Sequence, residues 1–297
     1  MNNDCLAELA GVSKRFGKTV ALDGLDLQVR SGELLAMLGP NGAGKTTAIS
    51  LLLGLERPDA GSARLFGQLP QRVETRRNIG VMMQEVALAQ ELRVREHIDL
   101  VASYYPSPMT PAAAMEMTHT TSLAGRPYGK LSGGQKRQAQ FAMAICGRPR
   151  LLFLDEPTVG LDVEARQVMW TRLRQLVSQG ASIVLTTHYL EEAETLADRV
   201  VVLARGRVIA SGTVSEIRAN VVRKHISCST TIGAAQVETW PGVESVTYDQ
   251  RRLHITASNA QSVVRRLMAA DENLDELEVH RAGLAEAFTE LTQEKSL

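Results

Sequence analysis

At 297 residues, with hydrophobic residues at 44% and charged residues at 22%, the chain has the composition of a globular protein of one large or two ordinary domains. Lys and Arg together number 33, as do Asp and Glu, so no basic excess draws it to nucleic acid or anionic lipid. Cys5, Cys146 and Cys228 stand far apart with no C-x-x-C spacing, which argues against a disulfide framework and suits a reduced, cytosolic protein; the opening residues, Asp4 and Glu8 among them, hold no secretory apolar segment.

In chain order, residues 6–29 carry short apolar segments broken by Gly11, Gly17 and Gly24, the pattern of an antiparallel β lobe. Leu34-Leu35-Ala36-Met37-Leu38 is a predicted buried strand, and a helix from Thr46 to Leu53 stops near Gly54. Between them lies Gly39-Pro40-Asn41-Gly42-Ala43-Gly44-Lys45-Thr46-Thr47, which fits G-x-x-x-x-G-K-[ST]. Its glycines let the backbone approach phosphate oxygens closely, Lys45 adds charge, the Thr46 hydroxyl is placed for Mg²⁺, and the following helix points its positive end at the anion. Gln84 follows the strand-like Ile79–Met83 segment. Residues 85–130 keep helical spacing at Val94, Ile98 and Val101, then lose it at Pro106 and Pro108.

Leu131-Ser132-Gly133-Gly134-Gln135 opens a helix predicted to reach about Cys146, and a hydroxyl with two glycines at a helix start suits a phosphate. Leu151–Leu154 reads as a buried strand ending in Asp155-Glu156-Pro157, two carboxylates that can hold a metal and a water. Val159-Gly160-Leu161-Asp162 leads into a helix predicted over 167–177, and Ser182–Leu185 is a further buried strand before Thr186-Thr187-His188. Past Gly206-Arg207-Val208-Ile209-Ala210-Ser211-Gly212 the chain changes character. Predicted strands at His225–Ser229, Val243–Tyr248 and Arg252–Ala257, the last two joined through Asp249-Gln250, alternate with apolar helical stripes. These stripes are Val263, Val264, Leu267, Met268 and Leu284, Ala287, Phe288, Leu291, and the mixture fits a small split-βαβ domain.

The glycine loop, the Leu131–Gln135 segment and the Asp155-Glu156 strand, in that order, resemble the ATP-binding cassettes of ABC transporters over roughly residues 6 to 218. The resemblance implies an α/β fold: a P-loop NTPase cassette with a parallel-sheet core, an antiparallel β lobe and a helical subdomain at 85–130. This cassette spans 1–220, and 221–297 forms a small α+β accessory domain. It implies that Asp155 with Thr46 and Gln84 serves Mg²⁺, and that Glu156 activates the attacking water. His188 would contact the terminal phosphate and hold Glu156, and Phe16 would stack on adenine. Ser132, Gly133, Gly134 and Gln135 would meet ATP bound by a second cassette, with Asp162 crossing that interface.

The expected function is ATP hydrolysis powering export through a separate permease, in the manner of multidrug and antibiotic-resistance exporters. The partners are ATP, a second copy of the chain and the permease, with no direct nucleic-acid contact, and the chain sits peripherally on the cytoplasmic face of the plasma membrane. No segment supplies the roughly 20 apolar residues of a spanning helix, so the channel is expected on another chain. A ribosome- or DNA-directed ATPase is the alternative, but it would carry two cassettes or long coiled coils, whereas about ninety residues separate Lys45 from Ser132. A nucleotide sensor without turnover is disfavoured by Glu156.

Overall fold

The computed structural model describes residues 5–219, 224–249, 252–281 and 284, 285, 288 and 289, and the chain divides into two compact units, Met1–Thr213 and Val214–Leu297. Among the described residues no helix is long and apolar enough to cross a membrane.

The first unit begins with the antiparallel pair β1 (Cys5–Phe16) and β2 (Thr19–Arg30), followed by β3 (Leu34–Leu38), α1 (Lys45–Leu52), β4 (Ala60–Leu65), α2 (Val73–Arg76) and β5 (Ile79–Met82). A helical region comprises α3 (Val94–Ala102), α4 (Pro111–Met117) and α5 (Gly133–Ile145), and the core resumes with β6 (Leu151–Asp155), α6 (Val163–Ser178), β7 (Ser182–Thr186), α7 (Leu190–Leu196), β8 (Arg199–Ala204) and β9 (Arg207–Gly212). β2, β1 and β4 make a three-stranded lobe, and the central sheet runs β5-β6-β7-β3-β8-β9, parallel except for the closing β8–β9 hairpin.

Every residue of β3, β6 and β7 is buried, as expected when both faces of a parallel sheet are covered. Alternation along the strands divides that burial. Leu35, Met37, Leu151, Phe153 and Val184 pack with Ile49 and Leu52 of α1 and with Leu9 and Leu22 of the lobe. Leu34, Leu152, Leu154, Ile183 and Leu185 pack on the other face with Phe141, Leu173 and Leu176. The helical region has its own core, in which Val94, Ile98, Met115 and Tyr128 meet Ala139, Ala142 and Met143 of α5. α5, beyond residue 130, therefore packs on both sides: Ala139, Ala142 and Met143 meet this region and Phe141, Ala144 and Ile145 meet the central sheet.

Gly80 in β5 shows how tight the sheet's helix contact is. A Cβ there would sit 2.0 Å from the Ala144 carbonyl oxygen, which is backbone and cannot swing aside. Gly80→Ala is expected to destabilise the first unit by about 3 kcal/mol through overpacking. Thermal melting checks this, and an unchanged midpoint would contradict the close approach.

The second unit contains α8 (Val214–Ala219), β10 (Lys224–Ser229), α9 (Ala234–Glu238), β11 (Val243–Asp249), β12 (Arg252–Ala257), α10 (Ala260–Ala270) and β13 (Asp275–Arg281). Its antiparallel sheet has the order β11-β12-β10-β13, so from β10 onward the chain follows a split βαββαβ path. Ile226, Cys228, Leu253 and Ile255 form its core with Val263 and Leu267 of α10. Met268 departs from the expected stripe and is 62% exposed. Leu284 is buried, whereas Ala287 and Leu291 of the second stripe, and Gln250 of the expected turn, lie outside the described residues.

Candidate active site

The buried strand β3 delivers the chain into the 39–44 loop, which turns directly into α1. Gly44 takes a left-handed φ of 104°, and a Cβ there would lie 2.6 Å from the Ala21 carbonyl oxygen. Glycine is required at this point both by conformation and by space. Lys45 is buried, and its ammonium donates to the Gly39 carbonyl at 2.6 Å and the Pro40 carbonyl at 3.2 Å, pulling the loop around its head. Burial lowers the Lys45 pKa, and the nearby Glu156 and Asp155 charges oppose that fall.

β6 carries the carboxylates to the same place. The Thr46 hydroxyl donates to Asp155 Oδ2 at 3.2 Å, and the Thr186 hydroxyl donates to Asp155 Oδ1. The Glu156 amide donates to Thr186 Oγ1 at 3.1 Å, so one threonine at the end of β7 fixes both members of the carboxylate pair. Glu156 itself has φ 49°, an uncommon backbone conformation for a non-glycine residue and one enriched at functional positions. Its side chain is gripped at both oxygens: Gln84 Nε2 donates to Oε2 at 3.3 Å, and His188 Nδ1 lies 3.3 Å from Oε1. Lys45, Thr46, Gln84, Asp155, Glu156 and His188, drawn from four segments of the chain, thus share one site.

Asp155 offers a carboxylate beside the Thr46 hydroxyl, and Gln84, whose nitrogen is committed to the neighbouring Glu156, keeps its carboxamide oxygen available. Oxygen-only donors suit a hard divalent cation such as Mg²⁺, so the residues present fit that ion.

The remaining expected site residues lie in a second grouping. Ser132 caps α5, accepting from the Gln135 amide at 3.2 Å while Gln135 Oε1 accepts from the Ser132 amide at 3.1 Å. Gly134 lies against the Gly160 carbonyl and Leu161, so this helix start adjoins the segment leading to Asp162. Asp162 is exposed and caps α6 by accepting from the Ala165 amide at 2.8 Å, which starts that helix at Val163 rather than at the expected Gln167. Phe16 is 48% exposed at the end of β1, with the Lys14 ammonium 5.2 Å from its ring centre.

Two contributors escaped the sequence reading. Thr186 gave only a weak signal, because its partner is set by the β6–β7 register that pairs it with Asp155. Arg137 is buried on α5 and donates to the Met83 carbonyl at 2.9 Å, holding the backbone next to Gln84. A charged residue on the buried face of a predicted helix was the available clue.

The ABC transporter family model matches residues 22–159. The Nod factor export ATP-binding protein I of Paraburkholderia xenovorans is 38% identical over 299 residues, covering 96% of each chain. Its counterpart in Burkholderia thailandensis is 44% identical over 208 residues, 68% of each chain. A solved ATP-binding subunit of an ABC transporter aligns with TM-score 0.67 at 29% identity, covering 72% of this chain and 92% of its own. A dimeric, post-hydrolysis ATP-binding cassette bound to ADP and Pi shares the fold at TM-score 0.65 and 24% identity, covering 70% and 98%. With the phosphate-loop strand, the carboxylate pair and a relative matched along almost the whole chain, this protein belongs to the ATP-hydrolysing, ATP-binding subunits of the ABC transporter family.

Proposed function

We propose that this site hydrolyses Mg-ATP to drive export through a separate membrane permease, with two copies of the chain enclosing two nucleotides. The observation that carries the chemistry is the convergence of Gln84 and His188 on the two oxygens of Glu156, beside Lys45 and Asp155. Backbone N–H groups of residues 41–47 and the Lys45 ammonium receive the phosphates. Thr46, Asp155 and Gln84 hold Mg²⁺, which when bound neutralises phosphate charge. Glu156 accepts a proton from the water that attacks the terminal phosphorus; the bond to the bridging oxygen breaks, and ADP and phosphate leave. His188 orients Glu156 and reaches toward the transferred group. Ser132, Gly133, Gly134 and Gln135, with Asp162 beside them, meet the partner's nucleotide, and Phe16 supports the adenine ring.

Catalytic machinery falls within 1–220, and 221–297 serves as an accessory module. Export is supported by the names of the quoted relatives, which favour a Nod-factor-type cargo over the multidrug resistance suggested by sequence resemblance. The permease would select the cargo, and the chain would sit peripherally on the cytoplasmic face of its membrane. In cell fractionation, the protein is expected to pellet with membranes when its permease is co-expressed and to remain in the supernatant when it is not. Equal partitioning in both cases would remove the permease from this reading.

A further inference from the structure

Beside the catalytic cluster lies a carboxylate that no step above uses. Glu192, on α7 one turn beyond His188, is fully buried, and its Oε1 accepts from Trp170 Nε1 of α6 at 3.0 Å. Its Oε2 and the Thr158 hydroxyl are both buried without a formed hydrogen bond, although Thr158 and Thr187 lie close enough to favour the charged carboxylate. Burial pushes the carboxyl above its ordinary range, and Thr187, Trp170, Thr158 and the Arg166 charge oppose the shift. One turn before Trp170, the Arg166 guanidinium lies 5.0 Å from the Tyr189 ring, which in turn stacks 4.2 Å from the His188 ring. Thr187 Oγ1 accepts from the Tyr189 amide at 2.9 Å.

Residues 166 and 170, one turn apart on α6, therefore grip residues 189 and 192. The same helix is capped by Asp162, and Thr158 lies between that cap and Glu156. A buried, half-satisfied carboxylate is an expensive way to join two helices, since an apolar side chain of similar volume avoids its desolvation cost.

We infer that Glu192 is a positioning residue for turnover: through its bond to Trp170 it fixes the His188 segment against α6. This rests on the reading that His188 and Glu156 act in hydrolysis. Displacing His188 from Glu156 would slow the chemical step and leave the phosphate loop unchanged.

The test compares full-length Glu192→Ala, Glu192→Gln, Trp170→Phe and His188→Ala with the unaltered chain for melting midpoint, ATP affinity, KM and kcat. Glu192→Ala is expected to lower kcat roughly tenfold, as misplacement of a reacting group does, while KM stays within about twofold. Glu192→Gln keeps an acceptor for the indole and should restore most of that loss. Trp170→Phe keeps a ring but loses the donor, and should lower kcat about threefold without altering KM. Trp170 and Trp240 are the two tryptophans of the chain. In a Trp240→Phe background, ATP should change Trp170 emission when Glu192 is present and fail to do so in Glu192→Ala.

If Glu192→Ala does not fold, Glu192→Gln and Trp170→Phe carry the test: an unchanged kcat in Trp170→Phe overturns the inference. Slow turnover in His188→Ala with normal turnover in the Glu192 and Trp170 variants overturns the positioning role alone. Full turnover in His188→Ala overturns the reading on which it rests.

Discussion

Glu156→Gln is expected to slow ATP turnover by about 10²–10⁴-fold, the range for losing a positioned general base, while ATP affinity remains near that of the unaltered chain. The substitution preserves side-chain length, and a carboxamide can still meet Gln84 and His188, whose contacts with Glu156 are 3.3 Å each. It leaves untouched the Lys45 contacts that shape the phosphate loop. What it removes is the ability to take a proton from water at neutral pH. The variant should accordingly accumulate as an ATP-bound dimer, visible by size-exclusion chromatography with Mg-ATP. Turnover within about threefold of the unaltered chain would remove Glu156 from the general-base role.

The second large effect concerns sharing of sites between chains. The helix start at Ser132 forms its hydrogen bonds with Gln135, and Gly134 lies against Gly160, whereas Lys45 bonds to the Gly39 and Pro40 carbonyls. If that helix start serves the partner's nucleotide, Ser132→Arg should suppress turnover by at least about 10²-fold, because it fills a phosphate-binding position. ATP binding at Lys45 should survive. The lost cap costs about 1 kcal/mol of stability, too little to unfold the chain, and a melting curve verifies this. Lys45→Ala should instead abolish measurable ATP binding.

Mixing the two inactive proteins in equal amounts gives, for random pairing in a two-fold dimer, heterodimers in roughly half the population. Each has one intact composite site and one doubly damaged site. Activity should return to about a quarter of the unaltered rate if the sites work independently. A mixture as inactive as its components, despite demonstrated subunit exchange, would argue against head-to-tail sharing.

What could be read from the sequence divides along a physical line. Residues 34–53 and 151–156 were legible because strand, turn and helix follow one another along the chain, and each element's local pattern agrees with its neighbour's. Gln84 and His188 were reached through family resemblance, since no local pattern says that the ends of β5 and β7 lie on either side of β6. Thr186 became visible only once the β6–β7 register placed it opposite Asp155. Arg137 and Glu192 are charged residues buried by tertiary packing, which periodicity alone would leave on a solvated face. α6 starts four residues before the expected Gln167 because the Asp162 side chain caps it, and no apolar periodicity marks its first turn. In the second unit β10, β11, β12 and α10 were legible from their apolar patterns, whereas β13 and the short α9 were not, because β13 alternates few apolar residues and is placed by its pairing with β10.

The contiguous order β5-β6-β7-β3 gives strand length a meaning of its own. Each of these four neighbouring strands presents its contribution at the same end: Gln84 after β5, Asp155 and Glu156 at the end of β6, His188 after β7, and Lys45 beyond β3. Inserting or deleting one residue within any of them would advance or withdraw its contribution by about 3.3 Å and turn its side chains to the opposite face. The strands thus act as four rulers cut to a common mark, and the chain can vary in length through the loops at their opposite ends without disturbing the alignment on which hydrolysis depends.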